Sequence, residues 1–247
     1  MSCPSWLLED LLWGSATMTE PLFFEVRGEP LSGLVLRAMR EAIIDGRMAP
    51  GDTVNEVELA KQFGVSRAPI REAIRQLESE GLVIRVAYRG TAVSPLTAKS
   101  ITELQEFRRL LETHAATAVL QNGTDHDIDT LAGVVTEMER AASTGDMNGL
   151  NAADVRFHTL IVEAADNELL LEVWKTYVQR IRRALALRNR LNSNLDNIVG
   201  MHREMLDAFR ARDLERVKAC YAVHGTDLVL ALGHMLDPDD SPSRSTA

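Results

Sequence analysis

Apolar residues recur every three or four positions at Leu31, Leu34, Val35, Ala38, Met39, Ala42 and Ile43. That spacing turns one face of a helix toward a core. Gly46 then marks its end, because glycine enters the left-handed conformation of a helix C-terminus without steric cost. A second, short helix follows the turn at Ala49–Asp52. Asn55 can cap it, Glu58 three residues on resembles a capping box, and Leu59, Ala60 and Phe63 form its inner face. After a tight turn at Gly64–Ser66, Ser66 caps a third helix. Pro69 falls in its first turn, where a missing N–H costs little, and Ile70, Ile74 and Leu77 face inward. Past Gly81 the period changes. Val83–Val86 and Thr91–Val93 read as two short strands joined through Ala87–Gly90. Three helices followed by a small hairpin make a winged helix-turn-helix.

From Thr97 to Met235 only helical periodicity remains, with helices at roughly 97–121, 125–143, 146–165, 168–190, 194–211 and 213–235. Breaks fall at Asn122–Asp125, Ser143–Asp146 and Ala165–Asn167, with weaker ones near Asn192 and Asp213. The fold class is therefore mainly α: the winged helix-turn-helix, then an all-α bundle of six or seven helices. The chain divides into an N-terminal extension at 1–29, partly flexible, a DNA-binding unit at 30–95, a helical unit at 96–236, and a flexible tail at 237–247. The tail has the Asp, Pro and Ser composition of disorder.

Charge sharpens this division. The chain carries a net −9, yet residues 30–95 hold nine Lys and Arg against eight Asp and Glu. Residues 96–247 hold seventeen against twenty-three, and the first 29 hold one against five. Only the 30–95 unit can meet a polyanion. The two cysteines, Cys3 and Cys220, make no disulfide framework and suit a reduced, cytoplasmic protein. No apolar run approaches the ~18 residues of a membrane span. The first residues carry no basic residue before Arg27, and Glu9 and Asp10 interrupt their apolar part, so they make a poor signal peptide. They read as an extension, or as residues before a natural start at Met18.

Arg67, Arg71 and Arg75 stand four residues apart on the third helix, flanking its apolar face. A solvated face with i,i+4 pairs would explain an isolated pattern of this kind. Here the stripe opens the second helix of a helix-turn-helix, where base edges are read. Arginine suits that place because its planar fork grips guanine or phosphate with two hydrogen bonds. Arg89 and Gly90 at the wing tip can reach an adjacent groove or backbone. The stretch from Ile43 to Val93, with Val65-Ser66-Arg67 and Arg71-Glu72-Ala73 at its centre, resembles the N-terminal domain of the GntR family of bacterial transcription regulators. The resemblance implies DNA contacts from Arg67, Arg71, Arg75 and Gly90, with Ser66 and Arg89 beside them. Ala68 stands where many members have threonine, and Val57 where some have arginine, so the half-site preference departs from theirs.

In the helical unit, Asp154 and His158 are spaced i,i+4 and share a face with Ile161 and Ala165. His202 shares one with Leu206 and Phe209, and His224 with Cys220, Leu228 and Ala231. A single buried histidine is usually a satisfied core residue. Three imidazoles and a carboxylate from three helices, each on the apolar side, suit a first-row divalent ion. Cys220 reads as a small core residue one turn from His224. Arg108 lies between Leu104 and Leu111 on an apolar face and needs an anion, either Glu112 or a bound carboxylate.

This unit resembles the FCD effector-binding domain of the FadR-type branch, in its shorter, VanR-like form. Metal-binding members carry an Asp-x3-His pair and two later histidines, matching Asp154, His158, His202 and His224 here. The resemblance implies a divalent metal, zinc first with nickel or manganese as alternatives, and a small organic acid effector held by that metal and Arg108. It also implies a homodimer that presents two recognition helices to a palindromic double-stranded DNA operator, as a repressor released by the acid. A purely structural metal, or a metallo-enzyme fused to a DNA-binding head, are the other readings. Against the enzyme, His202 begins no HExxH motif, and neither a nucleophile elbow nor a Gly-rich phosphate loop is present.

Overall fold

The computed structural model describes residues 30–226 apart from 192–194. The N-terminal extension, the C-terminal tail and the last part of the sixth helix expected in the bundle lie outside the described residues. Nine helices and one hairpin are present among those described.

Helix α1 spans Leu31–Ile44, α2 Glu56–Phe63 and α3 Arg67–Ser79. The Asn55 side chain accepts from the backbone N–H groups of Val57 and Glu58, and Gly64 closes α2 at φ 66°. Ser66 occupies the N-cap position of α3 but makes no side-chain cap bond, contrary to expectation. Val35, Met39 and Ile43 of α1 pack on Ile70, Ile74 and Leu77 of α3. Strands β1 (Val83–Val86) and β2 (Gly90–Val93) pair antiparallel with Val83 opposite Val93, and Leu82, Val83 and Val93 close the same core. Thr53 forms an isolated bridge with Ala92, so the segment before α2 extends the wing. One bridge leaves no alternating pattern to read in a sequence.

Six further helices follow: α4 (Ala98–Asn122), α5 (Asp125–Thr144), α6 (Met147–Ala164), α7 (Glu168–Leu191), α8 (Leu195–Arg210) and α9 (Leu214–Val223). Reciprocal caps between Thr97 and Ser100, and between Thr124 and Asp127, set the starts of α4 and α5. Asp146 and Asp213 cap α6 and α9 by accepting from Gly149 and Arg216 N–H. Met138, Phe157, Ile161, Trp174, Phe209 and Tyr221 fill the core at 0–1% exposure. Truncating such a buried side chain to alanine costs about 2–5 kcal/mol.

One turn of α7 joins this bundle to the winged unit. Arg180 Nε donates to the Glu80 carbonyl at 2.9 Å, Arg182 Nη2 to Glu41 Oε1 at 3.1 Å, and Arg183 Nη1 to the Ser94 carbonyl at 2.8 Å. Gly81, at φ 68°, permits the first contact, since a Cβ there would fall 1.9 Å from the Arg180 guanidinium.

Candidate functional site

The amphipathic faces of α4, α6, α7, α8 and α9 converge on a buried polar cluster in a largely apolar core. Helix α6 carries Asp154 and His158, α8 carries His202, and His224 caps the C-terminus of α9. One ligand atom from each of these four lies within 4.8 Å of the others. The sequence placed His224 inside a helix running to residue 235. Among the described residues the helix ends at Val223, and His224 takes an extended φ −65°, ψ 122°. Gly225 follows at φ 84°, a conformation open to glycine. Leu228 and Ala231, expected on the His224 face, lie outside the described residues. Cys220 is half-buried and its thiol is pushed up by burial, so it is no ready thiolate ligand.

His202 Nδ1 donates to the Ile198 carbonyl at 2.8 Å. His158 Nδ1 lies 2.8 Å from Glu112 Oε2 as an ion-pair contact, although neither atom makes a hydrogen bond. Each oxygen favours the proton on Nδ1, which leaves Nε2 a bare lone pair in each neutral ring. Those two Nε2 atoms face each other at 3.2 Å. Two lone pairs at that separation repel unless a proton or a cation lies between them. Burial pushes His202 down to about 4, against the pull of Asp154, and pushes His224 well below the usual histidine range. The His202 and His224 imidazoles are therefore neutral at neutral pH.

Asp154 is 1% exposed, and both its carboxylate oxygens lack a hydrogen-bond partner among the described residues. Burial would raise its carboxyl, yet His202, Arg108, His158 and Arg188 outweigh it and hold the group below the usual carboxylate range. His158 Nε2, His202 Nε2 and Arg108 Nη2 stand 3.8, 3.9 and 3.7 Å from Asp154 Oδ1. An ionised carboxylate with idle oxygens, beside facing imidazole lone pairs, fits a divalent cation in donor type and number. His224 retains partial exposure as a residue, but its Nδ1 is buried without a partner.

Arg108 is 3% exposed and donates through Nε to Glu112 Oε1 at 2.6 Å, so the internal acid is its partner here. Its Nη2 meets His224 Nε2 at 3.3 Å, and its Nη1 is buried without a partner. The fork is half used. Arg188 on α7 is a second buried arginine at the cluster, with Nη2 3.8 Å from Asp154 Oδ2. Reading for candidates missed it, although Ile181, Ala184, Leu185 and Arg188 continue one buried face at helical spacing. Arg108 had given the same signal. Tyr221 also reaches the cluster; its hydroxyl is buried without a partner, and burial and Glu112 push it well above the usual tyrosine range.

On the winged unit Ser66, Arg67, Ala68, Arg71, Arg75, Arg89 and Gly90 are all exposed. Glu56 of α2 accepts from Arg67 Nη2 at 2.7 Å and Arg71 Nε at 2.8 Å. Arg75 and Arg89 make no side-chain ion pair or hydrogen bond among the described residues. Gly90 sits at φ 82°, and Tyr88, fully exposed at the wing tip, holds φ 62°. That angle is uncommon for an aromatic residue.

Residues 31–93 match the domain described as bacterial regulatory proteins, gntR family, and residues 103–227 match the FCD domain. The chain is 32% identical over 192 residues to the probable D-xylose utilization operon transcriptional repressor of Paenarthrobacter nicotinovorans, covering 78% of this chain and 84% of that one. It is 29% identical to the gluconate operon transcriptional repressor of Bacillus licheniformis, over 71% of this chain and 74% of the relative. A crystal structure of a GntR regulator from Rhodococcus sp. RHA1 superposes with TM-score 0.70 at 24% identity, covering 82% of this chain and 97% of that one, and shares the fold. A winged helix-turn-helix joined to this helical bundle defines a transcriptional regulator, not an enzyme. The chain belongs to the GntR family of bacterial regulators and carries its FCD domain.

Proposed function

We propose that the chain is a ligand-responsive repressor whose helical domain binds a small carboxylate at a divalent metal, zinc first, held by Asp154, His158, His202 and His224. Residues 30–95 bind DNA, and 96–236 bind ligand and pair two chains. The observation that carries the metal reading is the pair of Nε2 atoms facing at 3.2 Å beside a buried Asp154 whose carboxylate accepts no hydrogen bond among the described residues. A bound divalent ion supplies a Lewis-acidic centre for an anion. Arg108 contributes its unpartnered Nη1, and Arg188 adds positive charge from the α7 side. The exposed Arg67, Arg71, Arg75 and Arg89 support groove and phosphate contacts from α3 and the wing. A homodimer would offer two such helices to a palindromic operator.

A thermal-shift screen of small carboxylic and sugar acids, with zinc and after chelation, tests this. A ligand that binds only the folded state raises the melting temperature by mass action. One or more acids should stabilise the zinc-loaded protein alone. The 2.6 Å commitment of Arg108 to Glu112 favours a second reading, a structural metal with no effector. In that case chelation lowers the melting temperature and no acid shifts it.

A further inference from the structure

A cavity of about 690 Å³ lies at the joint between the winged unit and the helical bundle, and none of Asp154, His158, His202 and His224 lines it. The turn after α3 and strand β1 form one wall, and α4 and α7 form the other. Its size suits a drug-sized organic ligand. Arg183 lines it at 4% exposure. One guanidinium nitrogen, Nη1, donates to the Ser94 carbonyl at 2.8 Å, while Nη2 is buried with no hydrogen-bond partner among the described residues. The Ser94 hydroxyl beside it is likewise buried and unpartnered. Burial without an opposing carboxylate pushes Arg183 down to about 10, so it stays charged at neutral pH. A buried cation with an idle donor calls for an anion. Another stretch of the wall is aromatic, with the Arg180 guanidinium 5.0 Å from the Tyr177 ring centroid, while Glu78, Arg85 and Glu103 add charge at the lining. Phe107 and Tyr177 pair with ring centroids 4.7 Å apart, next to Leu104.

We propose that this cavity is a ligand site distinct from the metal centre, taking an aromatic carboxylate whose carboxyl group meets Arg183 and Ser94 and whose ring packs on Phe107 and Tyr177. An occupant touches both the winged unit and the bundle, so it favours the head placement seen here over any in which the walls part.

Isothermal titration of the full-length, zinc-loaded protein with 2-naphthoate, beside neutral 2-naphthamide, tests the site. The expected result is saturable binding of one naphthoate per chain, weakened about tenfold or more in Arg183→Gln and by a comparable factor for the amide. Equal affinity in Arg183→Gln, equal affinity for the amide, or no saturable binding at millimolar naphthoate would each overturn the proposal. Circular dichroism checks that the variant folds. If it does not, methyl NMR of the wild-type protein decides. Naphthoate should shift Ile101 and Leu104 at the cavity and leave Ile161 and Ile198 near the metal cluster in place. The reverse pattern assigns binding to the metal centre and rejects the second site.

Discussion

The two central histidines differ in what holds them. His202 gives its Nδ1 proton to a backbone carbonyl of its own helix, whereas His158 depends on a side chain from α4, Glu112. In the proposed metal site Glu112 would be a positioning residue for one ligand, and such outer partners typically tune metal affinity 10–100-fold. Glu112→Gln keeps an acceptor for Arg108 but loses the charge that fixes the His158 tautomer. Its zinc affinity, measured against a chromogenic chelator, should fall by about 10-fold or more; an unchanged affinity would remove Glu112 from the site. The histidines also set an acid limit. His202 lies at about 4 in the folded protein against about 6.5 unfolded. Above pH 6.5 neither state carries the proton. As pH falls toward 4 the unfolded chain takes it up and the folded chain does not, so stability declines with pH, by roughly 3 kcal/mol from this group. Urea unfolding of the metal-free protein should show that loss between pH 6.5 and 4, and His202→Gln should flatten it. Asp154, His158 and His202 were legible in the sequence because helical spacing shows which polar groups share an apolar face. The conformation of His224 was not, because a helix C-terminus closed at Gly225 depends on packing that no periodicity records.

At the scale of elements, α2 and α3 show how the arginine stripe is kept ready. Glu56 sits in the first turn of α2, where the helix dipole favours a carboxylate. The hydrogen bonds from Arg67 and Arg71 hold its carboxyl below the usual range. The same two guanidinium groups are expected on DNA, so Glu56 competes with phosphate for them. Glu56→Gln should tighten non-specific DNA binding, whereas Arg71→Ala should weaken binding and lower the slope of log affinity against log salt by about one. Fluorescence anisotropy across a salt series reads both. A Glu56→Gln protein that binds DNA more weakly than wild type would assign Glu56 to arginine positioning instead of competition. The arginine stripe and both strands were readable from residue order alone. The Glu56 bridge was not, because it links positions 11 and 15 residues apart across a turn whose geometry only the fold defines.

At the scale of the molecule, α7 packs on α1 of the winged unit and on α4 and α6 of the bundle. Its C-terminal part brings Arg188 to Asp154, and the turn before it holds the Glu80 and Ser94 carbonyls through Arg180 and Arg183. The two carbonyl contacts span 100 and 89 residues of sequence and leave no pattern in a single chain, so the head placement was illegible where the two folds were plain. If a helix moves nearly as a rigid body, a charge change at the Arg188 end of α7 would reach its gripping turn. Sharing a helix is not by itself evidence of coupling, but it gives a measurable expectation. Hydrogen exchange of metal-free and zinc-loaded protein should show added protection on α6 and α8, and also along α7 to Arg183 and into the turn at Glu80–Leu82. In Arg188→Gln the protection should persist on α6 and α8 yet fail to reach that turn. Protection confined to α6 and α8 in the wild-type protein would mean that the metal orders its own site and that the head answers to something else.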